Sequence, residues 1–196
     1  MKRREFLKKS AFASIPIIGA GLSTSCETVN NSESDGNWSS DFEIMTEAAR
    51  FEAATIRTYQ EAAETIFVSD VSTPDEVKQT ATLYSGHHSE HLALFNQNFE
   101  GHDGFPPVLI NDEQPDSRLD SLTTYTEVLQ LALQMEFEAA QFYFSRMNDQ
   151  LTTRKVRKIF ADVLPMEVGH MVSYKMVLGQ SPALDEGLFQ NFGTGL

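Results

Sequence analysis

Four long stretches of this chain repeat apolar or small residues every three or four positions, and each places a carboxylate or an imidazole where an apolar side chain is expected. In the first, Met45, Ala49, Glu52, Ile56, Tyr59, Ala63 and Phe67 form one stripe. The second runs through Val77, Ala81, Tyr84, His88, His91, Leu92, Phe95 and Phe99. The third carries Leu122, Val128, Leu129, Ala132, Glu136, Ala140, Tyr143 and Met147; the fourth carries Phe160, Val163, Glu167, His170, Met171, Tyr174 and Leu178. That period is helical. An ionised carboxylate buried alone is very costly, so each of these groups must pair, protonate or bind metal.

The helix boundaries are punctuated. The stripes predict helices over about 41–68, from the Ser72-Thr-Pro-Asp-Glu76 start to about 99, over about 120–149, and from a Thr152 or Thr153 cap to about 178. In the second start, Ser or Thr acts as cap, Pro sits in the first turn, and acids face the positive dipole end. Gly179 is the expected stop of the last helix, with Pro182 beyond it. Between the second and third stripes, Gly101, Gly104, Pro106, Pro107 and Pro115 break the pattern. A connection this long suits a bundle in which one link runs the length of the molecule. The expected fold is an all-α four-helix bundle with a long crossover between helices two and three. Hydrophobic residues make up 41% of the 196-residue chain, enough to fill one such core.

The two halves repeat. Glu52 is followed by Tyr59 and Glu136 by Tyr143, both at plus seven. Glu167-Val-Gly-His170 is a Glu-x-x-His motif, and His88-Ser-Glu-His91 occupies the matching place in the first half. Residues three apart on a helix share a face, so each pair can aim two ligands at one point. A Glu from each of two helices plus Glu-x-x-His from the other two is the di-metal carboxylate arrangement of ferritin-like bundles.

On these motifs the chain resembles the exported ferritin-like proteins related to rubrerythrin. The motifs are Phe51-Glu-Ala-Ala-Thr-Ile-Arg-Thr-Tyr59, Gly86-His-His-Ser-Glu-His91, Met135-Glu-Phe-Glu-Ala-Ala-Gln-Phe-Tyr143 and Leu164-Pro-Met-Glu-Val-Gly-His170, spread over about residues 42–182. The resemblance implies a dinuclear site with Glu52, His88, His91, Glu136, Glu167 and His170 as metal ligands. It implies two metal ions, iron first with zinc and manganese as alternatives, and oxidase- or ferroxidase-like chemistry at most. The chain departs from the di-iron pattern at His88, where Glu is usual, which removes a negative charge and a bridging-capable group. A one-residue shift using His87 and Glu90 restores a carboxylate but sits off the stripe. The competing expectation is a metal-free structural or stress-related module of the cell envelope, in which the buried Glu and His residues hydrogen-bond one another. Tyr59 and Tyr143 read as core aromatics or as hydrogen-bond partners of ligands. Glu138 reads as solvated or interhelical, His102 as a surface residue of the crossover, and the basic run 154–158 as a solvated helix face.

The first 25 residues form an export signal by composition. Lys2-Arg-Arg-Glu-Phe-Leu-Lys-Lys9 precedes an apolar stretch at 11–22, too short for an ordinary membrane span. Arg3 and Arg4 followed by Phe6, Leu7 and Lys8 resemble the twin-arginine signal. Leu22-Ser-Thr-Ser-Cys26 looks like a lipoprotein cleavage site, with Leu four residues before the cysteine rather than the usual three. Residues 26–40 read as a flexible tether, 41–180 as the bundle and 181–196 as an irregular tail. The expected location is therefore the periplasm or cell envelope, with a membrane contact only through lipid on Cys26. The net charge is −13, and the five bases against one acid in the leader make the remainder more negative still. Such a body lacks the basic footprint of nucleic-acid binding. Metal ions are the expected partners, and a homodimer is compatible. The single cysteine excludes an intrachain disulfide.

Overall fold

Asn37 starts the first helix: its side chain accepts from the Ser40 amide, and α1 runs over Trp38–Glu64. The computed structural model describes residues 37–183. Arg3, Arg4 and Cys26 lie outside the described residues, as do residues 184–196. The helix opens inside the stretch whose composition reads as tether, and it ends before the expected 68. Thr65 is the C-cap, its amide and its hydroxyl both donating to the Glu61 carbonyl, the hydroxyl at 2.6 Å, and a separate single turn, α2, covers Ile66–Ser69.

The second long helix, α3, spans Asp75–Phe99. Its cap differs from expectation. Pro74 occupies the cap position with no side-chain hydrogen bond, because the Thr73 hydroxyl donates instead to the Asp70 carbonyl at 2.7 Å. Asp75 and Glu76 lie in the first turn, where the helix dipole favours them.

The crossover is tied down at both ends. Asn96 on α3 both donates to the Val108 carbonyl and accepts from its amide, each at 2.9 Å. Farther along, the Asp116 amide donates to the Thr58 hydroxyl on α1 at 2.8 Å. Residues Ser117–Ser121 form a 3-10 turn, so the third long helix starts later than 120. This helix, α4, covers Tyr125–Asp149 behind a capping box in which Thr124 and Glu127 satisfy each other's amides. The fourth, α5, covers Arg154–Val177; Thr153, not Thr152, is its cap. Gly179 follows with φ 71°, the left-handed conformation expected of a helix stop.

α1 packs most extensively against α3, and α4 against α5, so two helix pairs face each other as a four-helix bundle. Two large apolar clusters fill most of it, with a small third at Ala140 and Met171. One holds Phe42, Met45, Phe95, Phe99, Tyr143 and Phe160; the other holds Tyr59, Phe67, Tyr84, Val128, Leu129 and Tyr174. Among the described residues, no helix is long and apolar enough to cross a membrane. Glu138 pairs with Arg118 at 2.9 Å on the surface. His102 is exposed but sets its ring edge against Phe42, with centroids 4.4 Å apart.

Candidate metal centre

Polar residues in the four stripes converge on one layer. Glu52 comes from α1, His88 and His91 from α3, Glu136 from α4, and Glu167 and His170 from α5. Helical period forces this: each residue sits one turn from buried apolar neighbours, so it must face inward with them. All six are buried, His91 least so. They form two overlapping quartets, Glu52–His88–His91–Glu167 and His88–Glu136–Glu167–His170, each able to hold a metal ion. His88 and Glu167 belong to both.

The two tyrosines at plus seven exchange partners across the bundle. The Tyr59 hydroxyl donates to Glu136 Oε1 at 2.8 Å, and the Tyr143 hydroxyl donates to Glu52 Oε1. Each tyrosine therefore serves the carboxylate of the other half. With its own proton committed to Glu136, Tyr59 accepts from the Tyr174 hydroxyl at 2.6 Å. Burial, followed by the nearby Glu136 charge, pushes Tyr59 and Tyr174 well up and keeps both as neutral donors.

His88 lies between two carboxylates, with Nδ1 2.6 Å from Glu52 Oε2 and Nε2 3.3 Å from Glu136 Oε1. Burial opposes a charge on this ring, but the carboxylates of Glu136, Glu167 and Glu52 outweigh it and hold His88 well above the usual histidine range. Burial alone would raise Glu52; the His88 charge beside it prevails and holds the carboxyl at about 2. Glu136 is likewise held low, against burial, by His88 and His170. His91, opposed by burial but paired with Glu167 and Glu52, is raised to about 9.

Glu167 is the exception. Burial and then the Glu52 charge push its carboxyl up. Neither of its oxygens accepts a hydrogen bond, and buried His91 Nδ1 also lacks a hydrogen-bond partner. Those two groups approach to 2.9 Å without the alignment of a hydrogen bond. Buried polar groups are almost always satisfied, and a set of lone pairs converging unpaired is what a cation would complete. The donor set of three carboxylates and three imidazoles suits iron, zinc or copper. On this test the residues fit a metal.

Glu90 is exposed. His87 is half-buried, and its Nδ1 lies 2.8 Å from His170 Nε2. Burial and the adjacent His170 charge lower His87, so its neutral ring accepts from His170 and leaves His170 Nδ1 aimed inward. Tyr84 stacks on the other side of the His170 ring, with centroids 4.0 Å apart. Sequence reasoning treated Tyr84 and Tyr174 as core and missed their contacts with the layer. The only signal was spacing: Tyr84 lies four before His88 and Tyr174 four after His170.

The ferritin-like domain family matches residues 40–180. The fold is also that of a conserved hypothetical protein from Mycobacterium tuberculosis, at 17% identity and a TM-score of 0.58, covering 75% of this chain and 96% of that one. No curated protein matches the chain.

Proposed function

Because the chain belongs to the ferritin-like domain family, we propose that its buried Glu–His layer is a dinuclear metal site, iron first with zinc or manganese as alternatives. The observation that carries this reading is Glu167, a fully buried carboxylate with two unpartnered oxygens, one toward each quartet. Glu52, His91 and Glu167 would hold one ion, and Glu136, His170 and Glu167 the other. Paired metals in such a pocket supply redox chemistry with dioxygen or peroxide, which is the oxidase- or ferroxidase-like activity proposed here. The chain's own part is to exclude water, to orient His170 through His87, and to hold Glu52 and Glu136 through Tyr143 and Tyr59.

The test is elemental analysis of the full chain purified without an affinity tag. One or more transition-metal ions per chain is expected. Less than one leaves the second reading, a metal-free polar core, which the 2.6 Å contact between His88 and Glu52 favours.

We also propose export by the twin-arginine route, with lipid on Cys26, from the leader sequence. Arg3→Lys with Arg4→Lys is expected to retain the precursor in the cytoplasm. Unchanged export of that double variant would indicate a general secretory signal.

A further inference from the structure

Resting on the metal reading above, we infer that His88 makes the two halves of the layer unequal, so that the chain binds one ion tightly, between His88, Glu136, Glu167 and His170, and a second only weakly beside Glu52 and His91. A carboxylate at this position could give one oxygen to each ion. A neutral imidazole has one lone pair for a metal, and its other nitrogen carries a proton. His88 can therefore complete one quartet and not both.

The distances choose which. Donors about 2.0–2.2 Å from a shared ion stand roughly 3.0–3.5 Å from one another. His88 Nε2 is 3.3 Å from Glu136 Oε1, and His170 Nδ1 is 3.3 Å from Glu136 Oε2 and 3.7 Å from Glu167 Oε2. The two 3.3 Å contacts are long for hydrogen bonds and fall within that range; His91 Nδ1 and Glu52 Oε1, at 3.5 Å, reach it on the other side too, so the contacts of His88 decide between the quartets. On the other side, His88 Nδ1 lies 2.6 Å from Glu52 Oε2, a tight hydrogen bond and too short for two ligands of one ion. Nδ1 is therefore committed to Glu52, and Nε2, whose contact to Glu136 is the longer and weaker of the two, is the nitrogen an ion could take in exchange for its proton.

Glu52 is further engaged, because its Oε1 accepts from Tyr143. Its side of the layer keeps His91 Nδ1 and Glu167 Oε1 as uncommitted donors. Glu52 thus acts on the tight ion as a positioning residue: it fixes the His88 tautomer, as a carboxylate behind a metal-bound histidine does.

The experiment is calorimetric titration of the full chain, stripped with chelator and dialysed, with zinc(II). The first equivalent is expected to bind at least about tenfold more tightly than the second. Glu52→Gln should keep the tight equivalent, weakened by no more than about 10–100-fold, the usual effect of removing a partner behind a ligand. Glu136→Gln should abolish it. His88→Glu should bring the two equivalents to similar affinity. Two equal equivalents in the wild type, or equal losses in Glu52→Gln and Glu136→Gln, would overturn the inequality and leave the metal reading standing. No zinc binding at all would overturn both.

Discussion

Asp41 and Glu167 are both sealed from solvent, but their oxygens meet opposite surroundings. Asp41, near the start of α1, accepts from the Thr152 and Thr153 amides and from the Thr152 hydroxyl, at 2.6–3.1 Å. Its charge is spent joining α1 to the start of α5, where unpaired amides and the dipole favour an anion. Glu167, midway along the same α5, accepts nothing. The first carboxylate is complete within the protein, whereas the second is surrounded by Glu52, Glu136 and three histidines and is pushed up by burial and by Glu52. Burial of a charged residue therefore does not distinguish a structural role from a binding role, but the saturation of its lone pairs does.

Substitution should separate the two sharply. Asp41→Ala leaves the Thr152 and Thr153 amides unsatisfied and is expected to cost about 3 kcal/mol. That is a melting decrease of roughly 6–12 °C by calorimetry. The loss should be the same with metal or chelator present, and a metal-dependent loss would break the comparison. Glu167→Gln should go the other way. By removing a repelled charge, it should leave the chelated protein at least as stable as chelated wild type, to within about 1–2 kcal/mol. Its melting temperature should no longer rise with added metal.

The pH profile of the chelated protein sharpens the contrast. His91 is raised from 6.5 to about 9, so its contribution is complete below pH 6.5 and is lost as pH climbs to 9. His88 and His170, also raised, act in the same sense, and Glu167, raised above 4.5, loses its contribution as pH rises from 4.5. Glu52 is lowered from 4.5 to about 2, so its contribution is present above pH 4.5 and is lost toward pH 2. Melting scans should therefore show a maximum between about pH 4.5 and 6.5, with a decline toward pH 9. Saturating metal should remove the alkaline decline, because the ion replaces the protons. A chelated protein that becomes steadily more stable from pH 6.5 to 9 would contradict the proposed charge pattern. The smallest effect is expected from Tyr59→Phe. Stability should change by no more than about 1 kcal/mol, while affinity for the first metal equivalent falls roughly tenfold. Tyr143→Phe should disturb that equivalent less, since its partner Glu52 lies on the weaker side.

Much of this architecture was legible in the stripes. Four helices, the long crossover and the inward placement of Glu52, His88, His91, Glu136, Glu167 and His170 all follow from helical period, which reports which residues share a face. Period does not report how far one helix is rotated or shifted against the next. For that reason, the exchange of Tyr59 and Tyr143 between halves, the His87–His170 bond and the nitrogen that His88 turns to each carboxylate were not readable. Local competition explains the boundary differences. The Thr73 hydroxyl is drawn to the Asp70 carbonyl and leaves Pro74 as the cap. The turn at Ser117–Ser121 takes residues that composition assigned to α4, although Thr124-x-x-Glu127 was a readable capping box.

Thermal melting of the stripped full chain, with and without a divalent ion at about a hundredfold excess over its Kd, tests the central proposal most directly. A ligand that binds only the native state adds roughly 2.7 kcal/mol under that condition. For a chain of this size that is a rise on the order of 5–10 °C. A dinuclear metal site should give that rise in the wild type and none in His170→Ala. A wild-type melting curve that does not move with iron(II), zinc(II) or manganese(II) would contradict it and leave the layer as a hydrogen-bonded polar core.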